Sequence, residues 1–234
     1  MSSSSEDEMP MVETGPDGLP AMSDDARDAG ESKMIGFLAV LMLAPRVIGT
    51  GIAFLIFFFG ATAQQKELVG RKLQLLESWD LGYLYFSVYT FSVLVMWVNN
   101  LPMVYKARLG LKGNIRANMY FYKLLGGNGM TKTSLVGLEE KGDIGVYNRA
   151  NRSLSHFVEN MGPAIINMLA AGFVFGLPTL VTTIVFCLGR VMHQIGYTKG
   201  YGSHAAGFGL ALLATMVLEG LVLVAAVGAF GVFK

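Results

Sequence analysis

The sequence predicts an all-α integral membrane protein with five spanning helices. Hydrophobic residues make up 53% of the 234 positions and charged residues only 15%, where an average soluble domain carries about 25% charged residues. The mean hydropathy is +0.48. The apolar runs are long enough to cross a bilayer, and no soluble domain separates them. A water-soluble core could not absorb this much apolar surface. The composition also excludes a nucleic-acid binder driven by a basic surface. One cysteine, Cys187, excludes an internal disulfide framework and a cysteine-based metal cluster.

Residues 1–33 hold nine acids and two bases, and the rest of the chain holds sixteen bases and eight acids. Ser2 to Ser5, the acids from Glu6 and the scattered Gly and Pro predict a disordered acidic tail, with few apolar groups to offset ordering entropy. It has neither the basic-then-apolar pattern of a secretory signal nor the acid-poor composition of a transit peptide.

The elements follow in chain order. The first apolar block is Met34–Ala63, broken only by Pro45-Arg46, and Val47–Gln65 is uncharged. A mixed-charge connector, Gln64–Asp80, follows. The second span is Leu81–Tyr105, 25 uncharged residues, about 37 Å at ~1.5 Å per residue. Next comes a polar loop, 106–146. The third span begins within Phe157–Gly176. Gly176-Leu177-Pro178 predicts a tight turn, and the fourth span runs from Thr179 past Arg190 towards Tyr197. The fifth is Ala205–Phe233, apolar apart from Glu219. Three regions result: tail 1–33, extra helix and connector 34–80, and a four-helix domain 81–234.

The loop at 106–146 holds seven bases: Lys106, Arg108, Lys112, Arg116, Lys123, Lys132 and Lys141. The positive-inside rule therefore predicts a cytoplasmic N-terminus and a non-cytoplasmic C-terminus. On that topology the sequon Asn151-Arg152-Ser153 faces the cytoplasm and stays unused.

Two constellations carry chemistry. Asn148, Arg152, Ser155 and Glu159 fall at i, i+4, i+7 and i+11, one polar stripe entering the membrane. An arginine and a carboxylate at that depth must face protein, each other or a polar ligand. They suit the two ends of a zwitterion, or else an ion pair that fixes packing. Arg190, His193 and Tyr197, at i, i+3 and i+7, share a second face. The plainer reading there is a snorkelling arginine and an interfacial aromatic belt. His156, His193 and His204 lie on different segments without ligand spacing, so no metal site is expected. Glu219 could find a partner in Arg46. Gly126-Gly127 has no Gly-Lys-Ser/Thr after it and is no phosphate loop.

Together the constellations resemble the MAPEG family, the membrane-associated proteins in eicosanoid and glutathione metabolism, and within it the type-three microsomal glutathione transferases. That group reads approximately F-N-x-A-Q-R-x-H-Q-N-x-x-E where this chain has Y-N-R-A-N-R-S-L-S-H-F-V-E from Tyr147 to Glu159. Asn148, Ala150, Arg152 and Glu159 match. The group's G-R-V-x-Y-x-x-G-Y is matched by Gly189, Arg190, Val191, Gly196 and Tyr197. The likeness spans about residues 80–232. It departs at Leu154, His156 and His193, and at His204, where many relatives carry a thiolate-stabilising arginine.

The resemblance implies a homotrimer of MAPEG-like four-helix bundles, here with one extra N-terminal helix. It implies an endoplasmic reticulum location and glutathione as substrate. The implied binding residues are Asn148, Arg152, Glu159, Arg190 and Tyr197; His156 and His193, at departed positions, can still donate a proton or a hydrogen bond, which adds His156 to the binding set and pairs His193 with Arg190 as the catalytic residues. The implied reaction is a glutathione-dependent transferase or peroxidase acting on lipophilic electrophiles or lipid hydroperoxides from the bilayer. The alternative is a non-catalytic structural or scaffold subunit, docked to other membrane subunits through helix 34–63.

Overall fold

The computed structural model describes residues 15, 19–60, 62–111, 119–125 and 135–232. The serine-rich start, the Gly126–Gly129 stretch and loop bases Lys112, Arg116 and Lys132 lie outside the described residues. The elements are α1 (Asp24–Phe59), α2 (Ala63–Ser78), α3 (Gly82–Arg108), β1 (Tyr122–Leu125), β2 (Leu135–Leu138), α4 (Gly142–Val174), α5 (Gly176–Lys199) and α6 (Ala205–Ala229). All but α2 and the two strands are long and apolar enough to cross a membrane. The chain is a multi-pass all-α membrane protein.

Helices α3 to α6 form the bundle. Its core joins Phe91, Leu94 and Val98 of α3 to Phe157 and Met168 of α4, Phe186 of α5, and Ala211 and Leu218 of α6. The Phe91 ring stacks on Phe186 at 6.0 Å and meets Phe157 at 6.2 Å. Helices α4 and α5 are separated only by Phe175, and Pro178 sits in the first turn of α5, where its missing N–H costs nothing. Helices α5 and α6 approach at Gly189 and Gly207. A Cβ on Gly189 would stand 2.6 Å from the Ala211 nitrogen, and one on Gly207 only 2.7 Å from the Met192 carbonyl carbon. Both neighbours are backbone, so nothing there can turn aside.

One expectation needs correction. The tail is ordered well before Met34. Leu19 is buried against Leu38, Met103, Val104, Leu109 and Tyr147. Helix α1 starts at Asp24, with Ser23 Oγ capping the Ala26 N–H at 3.3 Å. The acids that look like a solvated tail have a partner. Arg108, at the end of α3, bonds Asp28, Glu31 (3.0 Å) and Asp143 of α4 (2.7 Å), and Arg27 also reaches Asp143, at 3.6 Å. Within the connector Thr62 and Gln65 form a capping box, and α2 runs to Ser78. Helix α4 begins at Gly142, ahead of the apolar span, and its polar first half is covered by protein.

That cover includes the antiparallel β1–β2 pair, which hydropathy does not reveal. Glu139, after β2, accepts from the Lys141 and Glu140 N–H groups at 2.9 Å and from Lys123 Nζ at 3.1 Å. These donors, the Lys141 N–H first, hold its carboxyl below the usual range. Arg46 does not pair with Glu219. Its Nη2 lies 3.5 Å from Met96 Sδ, and its guanidinium sits 5.8 Å from the centre of the Tyr89 ring. Glu219 is exposed on α6.

Gly207→Ala should force α5 and α6 apart and cost about 1–3 kcal/mol, as overpacking does; an unchanged melting temperature in detergent would show that the helices do not touch there. A second expectation concerns pH. The lowered Glu139 pKa stabilises the native turn above the ordinary carboxylate pKa, and that contribution disappears as pH falls through the native value. Hydrogen-exchange protection of the Glu140 and Lys141 amides should therefore hold from pH 7 to about 5 and fall below about 4; protection factors flat across that window would exclude the carboxylate as their anchor.

Candidate functional site

The polar stripe on α4 divides between scaffold and site. Asn148 is fully buried and spends its amide on the loop. Its Oδ1 accepts from the Phe121 N–H at 3.0 Å, and its Nδ2 donates to the carbonyls of Phe121 and Glu139, each at 2.8 Å. It pins the hairpin across the start of α4 and does not line the cavity. Asn151 is buried too and donates to the Met119 carbonyl at 2.7 Å, so the sequon's amide is occupied inside the fold. Ser155 meets the Tyr120 hydroxyl at 2.8 Å. Arg152 and Glu159, two turns apart on α4, emerge half-exposed with 3.6 Å between Nη1 and Oε1.

The second constellation is buried. Arg190 is 4% exposed and His193 3% exposed. Arg190 Nη1 donates to His156 Nδ1 at 3.2 Å, and its guanidinium lies 5.3 Å from the centre of the Phe157 ring. Its Nε is buried with no hydrogen-bond partner among the described residues. His193 Nδ1 and Ser153 Oγ are 3.4 Å apart. The His193 ring stacks on Tyr197 at 5.7 Å and lies 5.3 Å from His156 and 5.4 Å from His204.

A cavity of about 200 Å³ opens at this point, lined by Arg152, Ser153, His156, His193, Tyr197, His204 and Phe208. Four of the residues singled out from sequence line it: Arg152, His156, His193 and Tyr197. Arg190 stands behind His156, and Glu159 stands beside Arg152, so each reaches the cavity through a neighbour. Ser153 and Phe208 were missed. The i, i+4 spacing of His204 and Phe208 at the head of α6 was the available signal, but it gains meaning only once Gly189 and Gly207 bring α6 onto α5. His204 packs on Tyr197 at 5.0 Å. Leu154, the apolar departure in the motif, packs against the bundle core and takes no hydrogen-bonding position from the cavity wall.

The turn that carries His204 is held from outside. Tyr201 donates its hydroxyl to Glu140 Oε1 at 2.8 Å, which raises the Tyr201 pKa because the bond is lost with the proton. Arg149 bridges the same ends, donating to the Glu140 carbonyl at 2.7 Å and to the Thr198 carbonyl at 3.1 Å.

Chemically, the cavity is a cationic, aromatic-walled recess at one end of the bundle. A buried guanidinium with no carboxylate at ion-pair distance among the described residues stabilises negative charge nearby, and the low dielectric of the surroundings strengthens that effect. Arg152 offers a two-pronged donor at the mouth. The His193 imidazole meets His156 at a tilt and His204 edge-on, and no cluster of ligands arranged for a metal ion occurs among the described residues.

No curated protein and no solved structure matches the chain. The sequence profile of the MAPEG family matches residues 84–227, which covers α3 to α6 and leaves α1 and α2 outside it. That match spans more than half of the chain and contains every residue lining the cavity: the chain belongs to the MAPEG family.

Proposed function

We propose that this chain is a membrane-bound glutathione-dependent transferase or peroxidase acting on lipophilic electrophiles or lipid hydroperoxides, of the type-three microsomal kind. The observation that carries the reading is the convergence of Arg152, His156, His193, Tyr197 and His204 on one cavity, with the buried Arg190 behind it. In this reading Arg152 grips a glutathione carboxylate, and Glu159 accepts from the ammonium group. The thiol lies toward His193, which takes its proton, and the charge of Arg190 favours the thiolate over the thiol. The thiolate then attacks a substrate that arrives from the bilayer. Transfer to an electrophile forms a thioether. Reduction of a hydroperoxide yields the alcohol and a glutathione sulfenic acid, which a second glutathione converts to disulfide and water.

A cavity of about 200 Å³ is smaller than the roughly 300–1,000 Å³ of most ligand sites. One subunit therefore encloses only part of a tripeptide. Arg152 and Glu159 remain half-exposed at its mouth, as a site completed by a second copy requires. We infer a homotrimer in the endoplasmic reticulum membrane, with the cavity end and the N-terminus on the cytoplasmic side. The added α1–α2 unit favours a second reading, a non-catalytic scaffold subunit, because every residue of α1 from Val47 onward is exposed.

Calorimetry on the detergent-purified chain separates the two readings. The native protein should bind glutathione saturably, and Arg152→Ala and Glu159→Ala should each weaken binding about 10- to 100-fold, the loss of a hydrogen bond to a charged group. Absence of binding at millimolar glutathione would leave the scaffold reading. His193→Phe keeps the ring stacking and removes the proton acceptor. It should leave glutathione affinity within about twofold and lower the thiolate absorbance of the bound thiol at pH 7 up to about tenfold, as a rise of about one unit in the thiol pKa does; an unchanged thiolate signal would remove His193 from the mechanism.

A further inference from the structure

The β1–β2 pair leaves an apolar face open. Its register sets Tyr122 opposite Leu138 and Leu124 opposite Val136. Side chains alternate across a strand, so these four share one face and Lys123 lies on the other. The two faces are used differently. Lys123 reaches Glu139 at 3.1 Å, and Phe121, two residues before it, packs edge-on against Tyr147 of α4 at 5.7 Å. The opposite face turns away from the bundle: Tyr122 is 62% exposed, Leu124 76% and Val136 64%.

A two-stranded pair is marginally stable by itself in water, and large apolar groups left open on it are a further liability. Depth and charge indicate what covers them. Asn148 ties the base of the pair to α4 through the backbone of Phe121 and Glu139. Helix α4 ends at Val174, 26 residues beyond Asn148, about 39 Å at ~1.5 Å per residue. The hydrocarbon is about 30 Å thick, and the headgroups extend the bilayer to about 40–45 Å. With the α4–α5 turn at the far edge of the hydrocarbon, the base of the pair stands among the headgroups. Residues 106–138 contain six bases and no acid, a charge that suits anionic headgroups. A tyrosine at this level fits the interface, with its ring toward the chains and its hydroxyl toward water.

We propose that the Tyr122, Leu124 and Val136 face of this pair is a docking surface for an anionic phospholipid bilayer. Leu124 and Val136 enter the boundary between headgroups and acyl chains, and Tyr122 stays at the headgroup level. The apolar contact supplies the anchor, and the basic loop supplies the preference for negative charge. A second copy of the chain suits the face less well, because two such loops brought together would set like charges against each other. The surface belongs to the loop between α3 and α4 and does not depend on glutathione binding.

The experiment uses the full chain with Cys187→Ala, which removes its one native cysteine, and adds Leu124→Cys, Val136→Cys or Lys141→Cys. Each carries a polarity-sensitive fluorophore in nanodiscs of phosphatidylcholine, with or without phosphatidylserine, and the readout is quenching by lipids spin-labelled near the top of the acyl chain. Labels at 124 and 136 should be quenched more than the label at 141. Their ratio of lipid-buried to water-exposed label should rise about fivefold with phosphatidylserine, the attraction of one base to an anionic surface, and should fall again at high salt. Labels at 124 and 136 that stay in water, or that respond alike to both bilayers, would overturn the proposal. A disulfide between Leu124→Cys chains would also overturn it, by assigning the face to a second copy. Hydrogen exchange on the unmutated chain reads the same contact without any substitution. The amides of Tyr122–Leu125 and Leu135–Leu138 should exchange more slowly in the anionic bilayer, and equal rates in the two bilayers would sink the idea even where a variant fails to fold.

Discussion

A guanidinium buried within a membrane-spanning helix is the constraint on which the rest of the bundle depends. Arg190 cannot face lipid, because no lipid tail can accept its hydrogen bonds. The fold answers by setting α4 against α5 so that His156 accepts from one prong and the Phe157 ring covers the face. The charge is contained and not neutralised, since no carboxylate lies at ion-pair distance from it among the described residues. A neutralising acid would make a better-satisfied core and a poorer anion site. The unpaired Nε is the same compromise at atomic scale: a donor kept available at a local cost in stability.

The contact between α5 and α6 makes that arrangement usable. Side chains on both helices would hold them about 8–10 Å apart, and His204 and Phe208 would not reach His193. Gly189 and Gly207 remove the Cβ atoms at the crossing, and the cavity wall closes. The strap of Tyr201, Glu140 and Arg149 then fixes the turn that carries His204. The cavity is thus walled by helices and tied down at its loop, which suits a site that must hold several side chains in register.

The N-terminal addition is joined by a different logic. Its first half is clasped to the bundle by Arg108, which gathers carboxylates from α1 and α4, and by a small apolar cluster around Leu38. Its second half touches little. The ionic clasp is more than a quarter exposed and open to screening by salt, so the buried apolar contacts provide the more durable part of the attachment. This explains why an acidic segment resembling a solvated tail is ordered from Leu19 onward: its charges are complementary to a cation that lies about 80 residues away in sequence.

Much was legible without coordinates, and the reason differs from residue to residue. The five spans follow from composition because hydrocarbon admits only helices with internally satisfied backbones. Arg152, His193 and Tyr197 could be found because helical spacing places them on two polar faces in otherwise apolar segments, and a membrane leaves such faces few uses; His156 entered only through the family resemblance. Asn148 has the same spacing, yet its amide is consumed by loop backbone that no periodicity describes. The β1–β2 pair, the early start of α1, the recruitment of His204 and Phe208, and the separation of Arg46 from Glu219 were decided by tertiary contacts alone. Each depends on which distant surface a residue meets, and a local pattern of hydropathy or charge carries no record of that.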